Sequence, residues 1–297
     1  MSVPHRILCI GSVLWDVIGR APGALDLGAD RPGEITRVPG GVAMNIAVTL
    51  ARFGLTPILL TAIGRDVEGD ELLAAAADLG LETAHVHRSE TLPTDTYMAI
   101  EGAGRLVAAI ADARSLEAAG DAILAPLVDG PLGSAETPWT GPVALDGNLT
   151  KALLEDIAES SHFAAADLRV APASPGKAER LRPFLKSANA TLYLNLEEAG
   201  LLAGRDFGSS AEAAADLMGR GAGRVLVTNG GHPAADGQAG DVLTATPPAV
   251  PVARVTGAGD TFMAAHIAEE LAGSDRAEAL GRALDTAAAY VAKGGAP

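Results

Sequence analysis

The chain is poor in cysteine, aromatic side chains, positive charge and long apolar runs, and each shortage removes a class of function. Its 297 residues hold a single cysteine, Cys9. That residue can form no internal disulfide and lies in the apolar run 7–10, so it reads as a buried strand residue in a reducing compartment. Lysine and arginine number 22 against 37 acidic residues, a formal net charge of −15. Such a surface repels a phosphate backbone, so nucleic acid is not an expected partner. No uninterrupted apolar stretch of about 18 residues occurs, and Asp16 breaks the N-terminal run. Neither a membrane span nor a signal peptide is expected, which points to the cytoplasm. Aromatic residues make up 3%, too few to mark a partner surface.

Several catalytic signatures are missing as well. Gly-x-x-x-x-Gly-Lys-Ser/Thr does not occur, since Gly176-Lys177 lacks the upstream glycine, and no Gly-x-Gly-x-x-Gly follows a strand. A P-loop and a dinucleotide fold are therefore not indicated. There is no Gly-x-Ser-x-Gly and no His-Glu-x-x-His, and the six histidines are scattered. Serine hydrolysis and a zinc site lose support with them.

What is present is an alternation of short apolar runs with alanine-rich helical stretches. With 48% hydrophobic residues the chain can bury a large core, and one domain over 1–297 is expected. The runs 7–10, 58–63, 143–145, 163–165, 192–194 and 225–227 read as strands, most of them followed by a helix-like segment. That order predicts an α/β fold, a mostly parallel sheet covered on both faces. Ligands collect beyond the carboxyl ends of such strands, where Gly11, Gly64, Asp146 with Asn148, Asn195, and Thr228 with Gly230 stand. Residues 12–40 and 92–111 break the rhythm, and 96–100 and 106–110 flank Gly102-Ala-Gly104 like a hairpin. The segments 129–142 and 246–252 read as loops, the second placed to edge an adenine pocket.

Residues 253–262 read Ala-Arg-Val-Thr-Gly-Ala-Gly-Asp-Thr-Phe. Gly257, Ala258 and Gly259 carry almost no side chain, so their N–H groups can turn toward one anion, and 262–271 reads as the helix they open. A phosphate there would meet orphan donors and about half a positive charge. Asp260 follows, placed to take the proton from a hydroxyl attacking a bound γ-phosphate. Taken alone, these residues also fit a helix cap after a tight turn. Upstream, Gly40-Gly41-Val-Ala-Met-Asn45 leads into Ala43, Ile46, Ala47, Leu50 and Ala51 at helical spacing, closed by Gly54, and Gly64-Arg-Asp66-Val-Glu-Gly69 comes next.

Together with Asp16 after the first strand, Asn195-Leu-Glu-Glu198 and Thr228-Asn-Gly230, these motifs resemble the PfkB, or ribokinase-like, family of sugar and nucleoside kinases over nearly the whole chain. The resemblance implies a three-layer α/β/α fold with a small β lid formed by 12–40 and 92–111. It implies ATP-dependent phosphorylation of a primary hydroxyl on a ribose-like substrate, with Asp260 as base and the amides of Gly257, Ala258 and Gly259 stabilising the transferring phosphoryl group. Asp16 and Asn45, with the backbone at Gly40 and Gly41, are expected to hold sugar hydroxyls. Thr96 and Asp112 are assigned to the same substrate. Asn148, Asn195, Thr228 and Gly230 are assigned to the nucleotide, and Glu198, helped by Asn195, to Mg²⁺ through water. Turn and cap roles remain the structural alternatives for these residues.

Within the family the resemblance leans to pseudouridine kinases, on Thr96-Tyr97, residues 102–112, Asp146-Gly-Asn148, Pro172-Ala-Ser-Pro175 and Val255-Thr256-Gly257. Met44 departs from that branch and Val42 from ribokinases. A ribokinase, an adenosine kinase or another sugar kinase of the family is the alternative, and a non-catalytic sugar- or nucleotide-binding regulator is the alternative of another class. Arg254 stands where members usually carry an Asp beside a monovalent-cation site, so potassium is expected to be poorly held. Lids in this family often meet across a dimer, which adds a homodimer to the expectations.

Overall fold

The computed structural model describes residues 5–26 and 28–293; Leu27 and the two ends of the chain, which fall within the expected lid and domain spans, lie outside them. Strand β1 (Arg6–Ile10) shows how the sheet arises. Leu8 and Ile10 enter one core with Ile58, Leu60, Leu145, Leu192 and Val225, while Ile7 and Cys9 enter a second with Leu59, Ala144, Tyr193 and Leu226. Successive side chains leave a strand on opposite faces. A strand apolar on both must be covered on both, the condition for a parallel sheet between helix layers.

The central sheet is built from β1, β4 (Thr56–Leu60), β7 (Pro142–Asp146), β8 (Asp167–Ala171), β9 (Ala190–Asn195), β10 (Arg224–Asn229), β11 (His232–Gln238) and β12 (Asp241–Ala245). Its order is β12-β11-β10-β9-β8-β7-β1-β4. The pairs from β4 to β10 are parallel, and β11 and β12 are antiparallel additions. One face packs α1 (Val42–Arg52), α2 (Val67–Asp78), α6 (Ala258–Leu271) and α7 (Arg276–Ala292). The other packs α3 (Lys151–Glu159), a 3₁₀ segment (Pro175–Lys186), α4 (Leu196–Ala203) and α5 (Ser210–Gly219). The expected three-layer α/β/α architecture is therefore what the chain forms.

A second sheet has the order β3-β2-β5-β6, from β2 (Leu14–Ala21), β3 (Glu34–Gly40), β5 (Thr96–Gly102) and β6 (Arg105–Asp112). Ala103 and Gly104, at φ 50° and 72°, close the β5–β6 hairpin, the two positive values that a tight right-twisted hairpin requires.

Two strand readings need correction. Residues 163–165 are not a strand: Ser161–Phe163 is a 3₁₀ turn and the strand is Asp167–Ala171. Arg169 disguises it, a buried cation whose charge is met by Asp167 and Glu270 and by the Tyr193 hydroxyl at 3.1 Å. The run 58–63 is two strands, Thr56–Leu60 in the central sheet and Ala62–Gly64, which pairs with His87–Ser89.

Candidate active site

Strand β1 has β4 on one side and β7 on the other, so the connections leave it in opposite directions and open a crevice at the carboxyl ends. Asp146, the last residue of β7, fills the base of that crevice. It is fully buried and accepts from the amides of Ser12 at 2.8 Å, Ala43 at 3.0 Å and Asn148 at 2.7 Å. One carboxylate thus fixes the exit of β1, the first turn of α1 and the turn after β7. Gly11 has φ 149°, and a Cβ there would sit 2.3 Å from an Asp146 oxygen; only glycine permits that approach.

The start of α6 faces this junction. Gly257 is its N-cap at φ 84°. The Tyr290 hydroxyl, 2.3 Å from where a Cβ would lie on Gly257, donates to the Thr256 carbonyl at 3.0 Å and props the loop. The Ala258 amide is engaged with the Val255 carbonyl at 3.1 Å. Among the described residues the amides of Gly257, Gly259 and Asp260 have no backbone acceptor, an arrangement that, with the helix dipole, can hold an anion. Asn45 Nδ2 donates to Asp260 Oδ2 at 2.9 Å, joining positions 215 apart in sequence. Burial of the Asp260 carboxyl pushes its pKa up to about 7, and the nearby carboxylates of Asp146, Glu198 and Asp16 act in the same direction.

Asp16 lies on β2 against Gly40, where a Cβ would fall 2.0 Å from Oδ2. Burial pushes its pKa up to about 6. Gly41, the N-cap of α1 at φ 97°, lets the helix start against the Ser12 carbonyl. Asp16 pairs in register with Tyr97, and its charge, after burial, raises the Tyr97 phenol. Thr96 and Asp112 face each other across β5 and β6. Strand alternation sends them to the face opposite Asp16 and Tyr97, and Asp112 is held bidentately by Arg114 at 2.8 and 2.7 Å. The structure thus brings Asp16, Gly40, Gly41, Asn45 and Asp260 together but does not join Thr96 and Asp112 to them.

At the start of α4, Asn195 and Glu198 form a capping box: Asn195 Oδ1 accepts from the Glu198 amide and Glu198 Oε2 from the Asn195 amide, each at 2.8 Å. Burial raises the Glu198 carboxyl, and its second oxygen makes no hydrogen bond among the described residues. Thr228 lies beside Asn195 in register, and Gly230 turns the chain at φ 55°. Asn148 Oδ1 accepts from Lys177 Nζ. Arg254 lays its guanidinium 3.6 Å from the centre of the Tyr290 ring, and its amide and that of Ala253 donate to the Val291 carbonyl.

The sequence profile of the pfkB family carbohydrate kinases matches residues 4–297. The chain belongs to the PfkB family. It is 29% identical over 277 residues to the pseudouridine kinase of Escherichia coli strain K12, covering 89% of this chain and 83% of that protein. A carbohydrate kinase from Agrobacterium tumefaciens superimposes with a TM-score of 0.80 at 26% identity, covering 96% of this chain and 90% of that one. An Arabidopsis thaliana ribokinase complexed with ribose and ATP does so with a TM-score of 0.77 at 20% identity, covering 99% and 95%. This PfkB protein is an ATP-dependent phosphotransferase, a sugar or nucleoside kinase, on the ribokinase-like fold.

The sequence reading places Asp146 at a ligand-collecting strand end and Tyr97 in a motif but gives neither a role, and it passes over Lys177 as a site residue. Asp146, Tyr97 and Lys177 each act through partners distant in the chain. The available signal was an acidic residue ending an apolar strand before Gly147, because a carboxylate there must be satisfied by something outside the strand.

Proposed function

We propose that this kinase transfers the γ-phosphoryl group of ATP to the primary 5′-hydroxyl of a ribose-containing nucleoside, with pseudouridine the preferred acceptor. The observation that carries the reading is the Asn45–Asp260 pair at the N-terminus of α6. A carboxyl poised near neutrality is matched to proton abstraction at working pH, and the free amides beside it point where negative charge grows on the transferring group. Asn45 orients the base, and Asp16 accepts hydroxyl hydrogens of the sugar. The second sheet acts as the lid that excludes water. Thr96 and Asp112 reach the substrate only if the lid rearranges, whereas Asn148, Asn195, Thr228 and Gly230 edge the triphosphate path.

The charges of Asp146, Glu198 and Asp16, which all act on Asp260, suit a hard cation in the same field. Among the described residues no three His, Cys, Asp or Glu are grouped to cage a metal, which fits Mg²⁺ held through its own waters and the phosphates. Glu198, through its uncommitted oxygen, would hold such a water, and the ion would neutralise phosphate charge when bound. Arg254, stacked on Tyr290, supplies fixed positive charge next to the loop. The rate at constant ionic strength is therefore expected to be the same with K⁺ or with a tetraalkylammonium salt, and to gain K⁺ dependence in Arg254→Asp.

Pseudouridine is preferred because a relative that matches along most of both chains, at 29% identity, is a pseudouridine kinase. An ADP-release assay over pseudouridine, uridine, adenosine, ribose and fructose tests this. The highest kcat/KM should fall on pseudouridine; a preference for adenosine or free ribose would reassign the acceptor.

A further inference from the structure

The chain has four lysines, and three are peripheral: Lys151 pairs with Glu155 on the surface of α3, and Lys186 and Lys293 are exposed. Lys177 differs. It is half-buried, and its ammonium donates to the neutral Asn148 carboxamide, with no carboxylate at ion-pair distance among the described residues. Its placement is built. The 3₁₀ segment Pro175–Lys186 is anchored by the fully buried Ala178, Leu181 and Phe184. Arg180 on the same segment clamps the turn beneath by donating to the carbonyls of Gly147 at 3.2 Å and Leu149 at 3.0 Å.

Holding an ammonium away from full hydration on a neutral acceptor is unfavourable unless an anion completes its shell. The resident anion nearby, Asp146, already accepts from three amides and makes no ion pair with Lys177 among the described residues. Burial lowers the Lys177 pKa, and Asp146 offsets this only in part. An ammonium has three donors, so two remain after Asn148. Asp146 is close enough to act on the ammonium, and Asp146, Glu198 and Asp16 act in turn on Asp260, a negative field that repels a polyphosphate.

We propose that Lys177 contacts the β- or γ-phosphate of the bound nucleoside triphosphate, with Asn148 holding the ammonium ready in the free protein. The inference rests on the kinase reading and adds to it the cation that the site's own chain supplies to the polyphosphate. Lys177 makes and breaks no covalent bond. It stays protonated and donates to non-bridging oxygens, so its contribution is charge and position.

Lys177→Gln separates this role from a structural one, because glutamine can still donate to Asn148 but carries no charge. The expected result is a loss of about 10- to 100-fold in kcat/KM for ATP, with calorimetric affinity falling much more for ATP than for AMP, and with Lys177→Arg retaining most of the native value. A Gln variant within twofold of native in both ATP affinity and turnover would overturn the assignment, leaving Lys177 as a pin for Asn148. Failure of the native chain to bind ATP would instead remove the kinase reading itself. Reductive methylation of the native protein gives an arm that needs no variant: mass spectrometry should show Lys177 protected by ATP and not by AMP. Equal labelling with and without ATP would also overturn it.

Discussion

Asp260 carries a cost that its proposed role as base explains. An unfolded aspartate titrates near about 3.9, while burial holds the folded carboxyl at about 7. The folded state therefore binds the extra proton between those values, so stability from this group falls as pH rises through the window and stays reduced above it. Asp260→Asn should melt at the same temperature as native below about pH 4, gain a growing advantage toward pH 7, and hold it at higher pH. Thermal melts across pH check this; equal melting at pH 8 would mean that the carboxyl is not strained. At this scale the sequence was informative where the chemistry is local. Gly257 to Asp260 and Gly40 to Asn45 are contiguous motifs, and their glycines are forced by backbone geometry. Asp146 was not legible in its role, because its partners Ser12 and Ala43 lie 134 and 103 positions away. Thr96 and Asp112, assigned from a motif alone, turned out to sit on the other face of their sheet.

Elements matter because they aim these groups. Helix α6 is gripped at both ends: the Tyr290 hydroxyl donates to the Thr256 carbonyl just before the Gly257 N-cap, and Glu270 near the far end binds Arg169 of β8 and Arg224 of β10. Phe262, Met263, Ala265 and Ile267 between them are buried, so the amides at its start cannot drift. That same network hid β8 from the sequence reading, since a charged residue in a strand looks like a loop until its partners are known. Helix α4 offers a test of the metal assignment. Glu198→Gln keeps an acceptor for the Asn195 amide, so the capping box and the melting temperature should be nearly unchanged. The Mg²⁺ concentration for half-maximal rate should rise severalfold, because a neutral amide orders the ion's waters less well. An unchanged Mg²⁺ titration would confine Glu198 to helix capping.

At the scale of the whole molecule, alternation of apolar runs and helices was enough to give a two-face-covered parallel sheet, since that pattern has few other solutions. The antiparallel strands His232–Gln238 and Asp241–Ala245 were not legible: Asp236 is buried within the first of them, held by Arg224 and Arg276. The second sheet leaves Ile35, Met98, Ile100 and Ile110 exposed, Ile35 at 77% and Ile110 at 72%. Their register and strand alternation place them on one side. A contiguous apolar face of this kind favours burial against a copy of itself. We propose a lid-to-lid homodimer, and sedimentation should give a dimer for the native chain and a monomer for Ile110→Glu. A monomeric native chain at micromolar concentration would remove the proposal.

The central claim is that Asp260, at the N-terminus of α6, is the base in phosphoryl transfer, and the pH dependence of kcat/KM for native and Asp260→Asn protein tests it most directly. The native profile should rise with pH and level off with an inflection near the Asp260 value of about 7. The Asn variant should be slower by about 10²-fold or more and should lose that inflection. A variant that keeps the native rate and the native profile would contradict the account.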